Sequence, residues 1–234
     1  MAALTASVVG GSGYTGGELL RLLYAHPDFE VVQATSRQYE PRTVGSVHPN
    51  LRDWDLRFSD PSELEPVDVL FAATPHGVTM GRIKAFDRAA ELVVDLSADF
   101  RLDSDAAYEE WYDGHDAPEY LDRAQYALPE LFRDELAGGT ADILASGGCN
   151  ATATLLALYP LFEAGILAGD ERIVVDVKVG SSEGGAGGGA ASSHAERSGW
   201  LEASPPPAPP SEEPTFTSTT IRSPPARTSC SNRG

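Results

Sequence analysis

The stretch LTASVVGGSGYTGGELLRLLY, residues 4–24, decides how the chain is read. Leu4–Val9 reads as a strand, and a glycine turn follows from Gly10 to Gly16. The span Glu18–Tyr24 then reads as a helix, stopped by His26 and Pro27. Gly10, Gly13 and Gly16 stand at G-x-x-G-x-x-G spacing. Glycines let a backbone turn tightly and approach a pyrophosphate, and the helix N-terminus adds N–H donors and a positive dipole end. The spacing alone is a weak signature. A strand before it and a helix after it make it a dinucleotide-binding turn, with a plain structural turn as the alternative.

The pattern continues outward from this unit. Residues 30–35, 67–73, 91–96 and 142–145 read as further short strands, separated by helical spans. This alternation predicts an α/β fold, a Rossmann-type doubly wound parallel sheet with crossover helices. The second strand ends in Thr35-Ser36-Arg37-Gln38, where an NAD site usually carries Asp or Glu beside the ribose. Hydroxyls and a guanidinium suit a 2′-phosphate instead, so Ser36, Arg37 and Gln38 point to NADP; otherwise Arg37 is a solvated loop residue. His76, in Ala73-Thr-Pro-His-Gly77 after the third strand, stands either near the nicotinamide or as an ordinary turn residue.

Cys149 sits in Ser146-Gly-Gly-Cys-Asn-Ala-Thr152, with two glycines before it and a helix, 150–164, after it. A helix N-terminus favours a thiolate, and Asn150 stands at a cap-like place, so Cys149 reads as a nucleophile rather than a buried structural cysteine. Residues 173–179 read as a strand opening a second domain.

The chain has 234 residues, enough for one large or two small domains, with 35 Asp and Glu against 17 Lys and Arg and a net charge of −18. That sign opposes binding to nucleic-acid phosphates. It fits either a merely acidic soluble protein or one adapted to high salt. No run of eighteen apolar residues predicts a membrane span, and the N-terminus lacks a basic leader. Cys149 and Cys230 lie in unlike contexts, so a disulfide is not expected and a reducing cytoplasm is the simpler setting. No metal site is expected. Residues 200–234 hold eight prolines and eleven Ser or Thr without period, and predict a disordered tail.

Taken together, residues 10–23, Ala73–Gly77, Asp95–Leu102, Tyr126–Leu131 and Gly148–Thr152 resemble the N-acetyl-gamma-glutamyl-phosphate reductase family. The branch most similar is the archaeal one, which acts on glutamyl or aminoadipyl phosphate linked to a small acidic amino-group carrier protein. Cys149-Asn-Ala-Thr152 carries that distinction, since the bacterial arginine enzymes typically read Cys-Tyr-Pro-Thr there. Asp95–Leu102 is the most specific segment, and the resemblance covers roughly residues 5–199. It implies a Rossmann domain over 1–148, an α/β domain with oligomer contacts beginning at 149, and homo-oligomers. It implies that Cys149 displaces phosphate to form a thioester, which NADPH reduces to a semialdehyde. Ser12, Gly13, Tyr14 and Thr15 carry over as phosphate-loop contacts, and Ser36, Arg37 and Gln38 as adenosine-side contacts.

The resemblance breaks after residue 199. Family members exceed 300 residues and carry a His-Arg-His-type motif downstream for general acid and base work. Here the sole later histidine is His194, at a non-catalytic place by resemblance. The expectation is an incomplete second domain, 149–199, and a tail produced by a frameshift or an early end of the reading frame. Three alternatives remain: a reductase of free N-acetyl-glutamyl phosphate, an aspartate-semialdehyde dehydrogenase-like enzyme, and an inactive NADP-binding remnant or redox-sensing module.

Overall fold

A computed structural model describes residues 3–112, 114–168 and 172–177. The chain divides into two compact units, residues 1–152 and 153–234. The first is a seven-stranded sheet, parallel throughout. Its strands are β1 (Leu4–Val9), β2 (Phe29–Thr35), β3 (Phe58–Ser59), β4 (Val67–Ala72), β5 (Ala90–Asp95), β6 (Ala124–Ala127) and β7 (Ile143–Ser146). Their order across the sheet is β3-β2-β1-β4-β5-β7-β6. Chain order runs outward to one side through β2 and β3, then jumps back to the other side of β1 with β4. Right-handed crossovers therefore place helices on opposite faces, and the connections leaving the carboxyl ends of β1 and β4 part to leave a crevice.

Successive residues of β1 face opposite sides of the sheet, which is why Val8 and Val9 enter different cores. On Val8's face, α1 (Tyr14–Tyr24) buries Leu20 and Leu23 against Ala34, Val44, Leu51 and Phe58. On Val9's face, α3 (Val78–Ala89) buries Met80, Ile83 and Phe86 at a three-residue interval, one helical stripe, against Leu70, Ala72 and Val93. Leu20, Ile83 and Phe86 are almost wholly buried, each worth about 1.5–3 kcal/mol of transfer free energy. The short α2 (Val44–Val47) leads toward edge strand β3, while α4 (Asp105–Trp111) and α5 (Pro129–Gly138) lie between β5 and β7.

The five strands expected between residues 4 and 145 lie within a residue of their places. Three expectations are corrected. α1 starts at Tyr14 rather than Glu18, because the glycine turn feeds directly into helical backbone. Asn150 is not a cap: α6 (Cys149–Glu163) starts at the cysteine, and Thr152 N–H donates to the Gly148 carbonyl at 2.8 Å. The strand expected over 173–179 is not formed by residues 173–177, where Val174 is 77% exposed and no partner strand lies among the described residues. Residues 178 and 179, His194, Cys230 and the expected tail over 200–234 lie outside the described residues. In the second unit, α6 continues to Glu163 and the chain turns at Gly165, whose φ is +66°.

Candidate active site

The glycine turn closes on backbone contacts. Gly10 has φ of +80°, and Gly13 N–H donates to its carbonyl at 3.1 Å. Gly16 packs against the same carbonyl so closely that a Cβ would lie on top of it and 2.8 Å from Gly11 Cα. The N-cap of α1 is Gly13, which offers no side chain to the first-turn amides. Such a helix start is suited to an anion. His48 braces the turn from outside, donating from Nε2 to the Gly11 carbonyl at 2.8 Å.

Beside the turn lies a cleft lined by Val9, Gly10, Ser12, Thr35, Ser36, Arg37, Gln38, Pro61, Thr74, Pro75, Val78 and Arg82. The Ser12 and Ser36 hydroxyls pair at 2.8 Å, and Thr35 O accepts from Gly11 N–H at 3.0 Å, so β2's end is fastened to the turn. Of the residues expected to hold cofactor, Gly10, Ser12, Ser36, Arg37 and Gln38 line this cleft. Gly13, Tyr14, Thr15 and Gly16 belong to the helix start beside it, and Tyr14 is 43% exposed.

His76 does not line the cleft. Its Nδ1 lies 3.0 Å from Asp99 Oδ1, and its ring stacks on Tyr108 and lies tilted against Tyr112. With Nδ1–H given to the carboxylate, Nε2 accepts from the Tyr108 hydroxyl at 3.3 Å. Asp99 is fully buried and also accepts from the amides of Gly77 and Met80, which ties the start of α3 to the loop after β5. Burial, then the Asp99 charge, pushes the Tyr108 phenol up to about 12. Asp95, buried at the end of β5, is raised by burial against the hydrogen bonds of Ser97 that oppose the shift.

Cys149 is exposed at the first residue of α6, beyond the carboxyl end of β7. Its Sγ lies 3.7 Å from Asn150 Oδ1. The two glycines that precede it lie close under neighbouring side chains: a Cβ at Gly147 would meet Tyr126 Oη at 2.6 Å, and one at Gly148 would meet Arg101 Nη1 at 3.0 Å. Arg101 is a functional candidate that reading the sequence for chemistry missed. Its Nε donates to the Ser146 carbonyl at 2.8 Å and its Nη2 to the Leu96 carbonyl at 3.0 Å. A fixed positive charge thus lies under the turn that presents the thiol. The signal was its place in Asp95–Leu102, just after a strand end on the rim that carries Cys149.

This fold, with a glycine turn and a cleft at its switch point and a thiol farther along the same rim, defines a dinucleotide-binding domain of the Rossmann type. The chain belongs to the semialdehyde dehydrogenase family: residues 5–139 match its NAD binding domain and residues 149–204 its dimerisation domain. A relative from Haloarcula marismortui, named a LysW-L-2-aminoadipate/LysW-L-glutamate phosphate reductase, is 70% identical over 195 residues, 83% of this chain and 56% of the relative. A LysW-L-2-aminoadipate 6-phosphate reductase from Thermomicrobium roseum is 50% identical over 181 residues, 76% of this chain and 51% of the relative. The chain spans about half the length of the curated relatives it matches. Among solved structures, aspartate semialdehyde dehydrogenase II from Vibrio cholerae shares the fold with a TM-score of 0.52 at 16% identity, over 69% of this chain and 47% of that one.

Proposed function

We propose that the protein reduces an acyl phosphate to a semialdehyde with NADPH, through a thioester on Cys149. The observation that carries this reading is an exposed thiol on a helix's first residue, at the same sheet edge as the dinucleotide turn. The substrate proposed is glutamyl or aminoadipyl phosphate linked to a small acidic carrier protein, by likeness to relatives whose names state it. NADP rather than NAD is supported by Ser36, Arg37 and Gln38 in the cleft and by the lack of a carboxylate there. A homo-oligomer in the cytoplasm is part of the same proposal, the former supported by the dimerisation-domain match.

The residues fit the cofactor. The first-turn amides of α1, left uncapped at Gly13, would hold a pyrophosphate, and Ser12, Ser36, Arg37 and Gln38 would hold the adenosine side. Strands about 4.8 Å apart put the end of β7 roughly 14 Å from that of β1, three strands along the same rim. Bound there, the nicotinamide supplies hydride.

The chain's own chemistry is acyl transfer. Cys149 Sγ forms the C–S bond as the acyl carbon's bond to the phosphate oxygen breaks, and inorganic phosphate leaves. Arg101 sets positive charge behind this turn, where negative charge collects on the departing group. An acyl phosphate mixed with the purified chain tests the step, with adducts mapped by mass spectrometry. The expected result is acylation at Cys149 with equimolar phosphate release, lost in Cys149→Ser. Acylation that persists in Cys149→Ser would refute the assignment.

A further inference from the structure

The adenosine end of the cleft carries a second guanidinium that no reading of the β2 loop brings to light. Arg82 projects from the middle of α3 and lines the same cleft as Ser12, Ser36, Arg37 and Gln38, although 45 residues separate it from Arg37. It is held in place from two sides. Nη2 donates to the Pro61 carbonyl, and the guanidinium lies over the Phe86 ring at 5.0 Å from its centroid. A guanidinium carries five donors in a fixed fork, so this tether leaves most of them available.

Neither Arg37 nor Arg82 forms an ion pair with a carboxylate among the described residues. Asp60 is a carboxylate whose charge interacts with both, and its Oδ1 is already taken by the amide and hydroxyl of Ser62, at 2.7 and 2.6 Å. Burial, and then the like charge of Arg37, make the Arg82 charge less favourable, with Asp60 opposing, while the guanidinium stays protonated. Two like charges held beside paired serine hydroxyls are an arrangement that a compact dianion relieves.

We propose that Arg82 is a specificity-determining residue which, with Arg37, binds a phosphomonoester on the cofactor's ribose. This rests on the NADP reading above and adds to it a contact from the opposite side of the cleft. Arg37 is exposed on a loop, whereas Arg82 is half-buried and pre-positioned. The pre-positioned group loses less freedom on binding and should contribute at least as much discrimination.

The test is titration of the purified chain with NADPH, NADH, 2′,5′-ADP and 5′-AMP, for the parent, Arg82→Gln, Arg82→Lys and Arg37→Gln. Loss of a charged hydrogen bond to phosphate predicts that Arg82→Gln weakens NADPH and 2′,5′-ADP by about 10- to 100-fold. NADH and 5′-AMP should change little, and Arg82→Lys should recover part of the loss. Equal weakening of phosphorylated and unphosphorylated ligands would overturn the proposal and leave Arg82 a prop for the Pro61 loop. Unchanged binding of all four would overturn it too. If Arg37→Gln loses the preference for NADPH while Arg82→Gln keeps it, the inference falls and the NADP reading stands. A parent chain that binds NADH as well as NADPH sinks both.

Discussion

Gly16→Ala sets the geometry of the dinucleotide turn against helix propensity. Gly16 lies in the first turn of α1, where alanine is the better helix former and no left-handed backbone is needed. Propensity alone predicts stabilisation. The structure predicts the reverse, because the added methyl would land on the Gly10 carbonyl oxygen and 2.8 Å from Gly11 Cα. Both are backbone atoms, and Gly10 is itself fixed by its own close approach to the Ala73 carbonyl. No flexible side chain can yield, so the turn must open. Overpacking of this kind costs about 1–3 kcal/mol. At about 2–4 °C per kcal/mol for a domain of this size, Tm falls by roughly 2–12 °C. Gly81→Ala is the control: it lies exposed in α3, with nothing within 4 Å of its would-be Cβ. That change should raise stability by about 0.5–1 kcal/mol. Thermal unfolding read by circular dichroism gives both numbers, and NADPH fluorescence reads the turn. Gly16→Ala should lose most of its NADPH affinity and Gly81→Ala none. If Gly16→Ala melts with the parent and binds NADPH as the parent does, the steric account of the turn is wrong.

Three further outcomes follow from named contacts. Arg101→Met removes two charged hydrogen bonds, to Ser146 O and Leu96 O, and should destabilise by about 2–4 kcal/mol in urea unfolding while altering the alkylation rate of Cys149 by iodoacetamide; a parent-like rate would detach Arg101 from the thiol. Tyr108 should be the last tyrosine to ionise in an absorbance titration, near its raised value of about 12. Its pKa is raised on folding, so its contribution is intact below the unfolded phenol's value near 10 and is lost as pH climbs to about 12. Tyr108→Phe should flatten that alkaline loss. Asp87 shows the opposite sign: hydrogen bonding by Arg123 holds its carboxyl below the usual range, so its contribution is present above about pH 4 and lost as pH falls through the lowered value. Arg123 is more than a third exposed, so Asp87→Asn should cost no more than about 1 kcal/mol at neutral pH and blunt the acid limb of the unfolding curve.

The glycine spacing, the apolar runs and the residues flanking Cys149 are local signals, carried within a few positions of one another. They were enough to give the strand–turn–helix at residues 4–24, the parallel sheet and a thiol at the head of α6, because backbone conformation and one-face burial depend on neighbours at one to four residues. The edge strands β3 and β6 escaped notice: two and four residues long, they show no alternation to read. The strand expected over 173–179 marks the converse limit, since an apolar run forms a strand only beside a partner, and 173–177 have none among the described residues.

What the tertiary structure alone decided is which distant side chains meet. Arg101 reaches the carbonyl of Ser146 across 45 positions, and Asp99 gathers His76, Gly77 and Met80 because β5 pairs beside β4. Arg82 joins Arg37 in one cleft because sheet order reverses at β1, bringing α3 to the rim that the β2 loop also reaches. The sequence determined the parts and their local shape. Strand order determined their company, because charges and hydrogen bonds act through space over a few ångströms and are indifferent to separation along the chain.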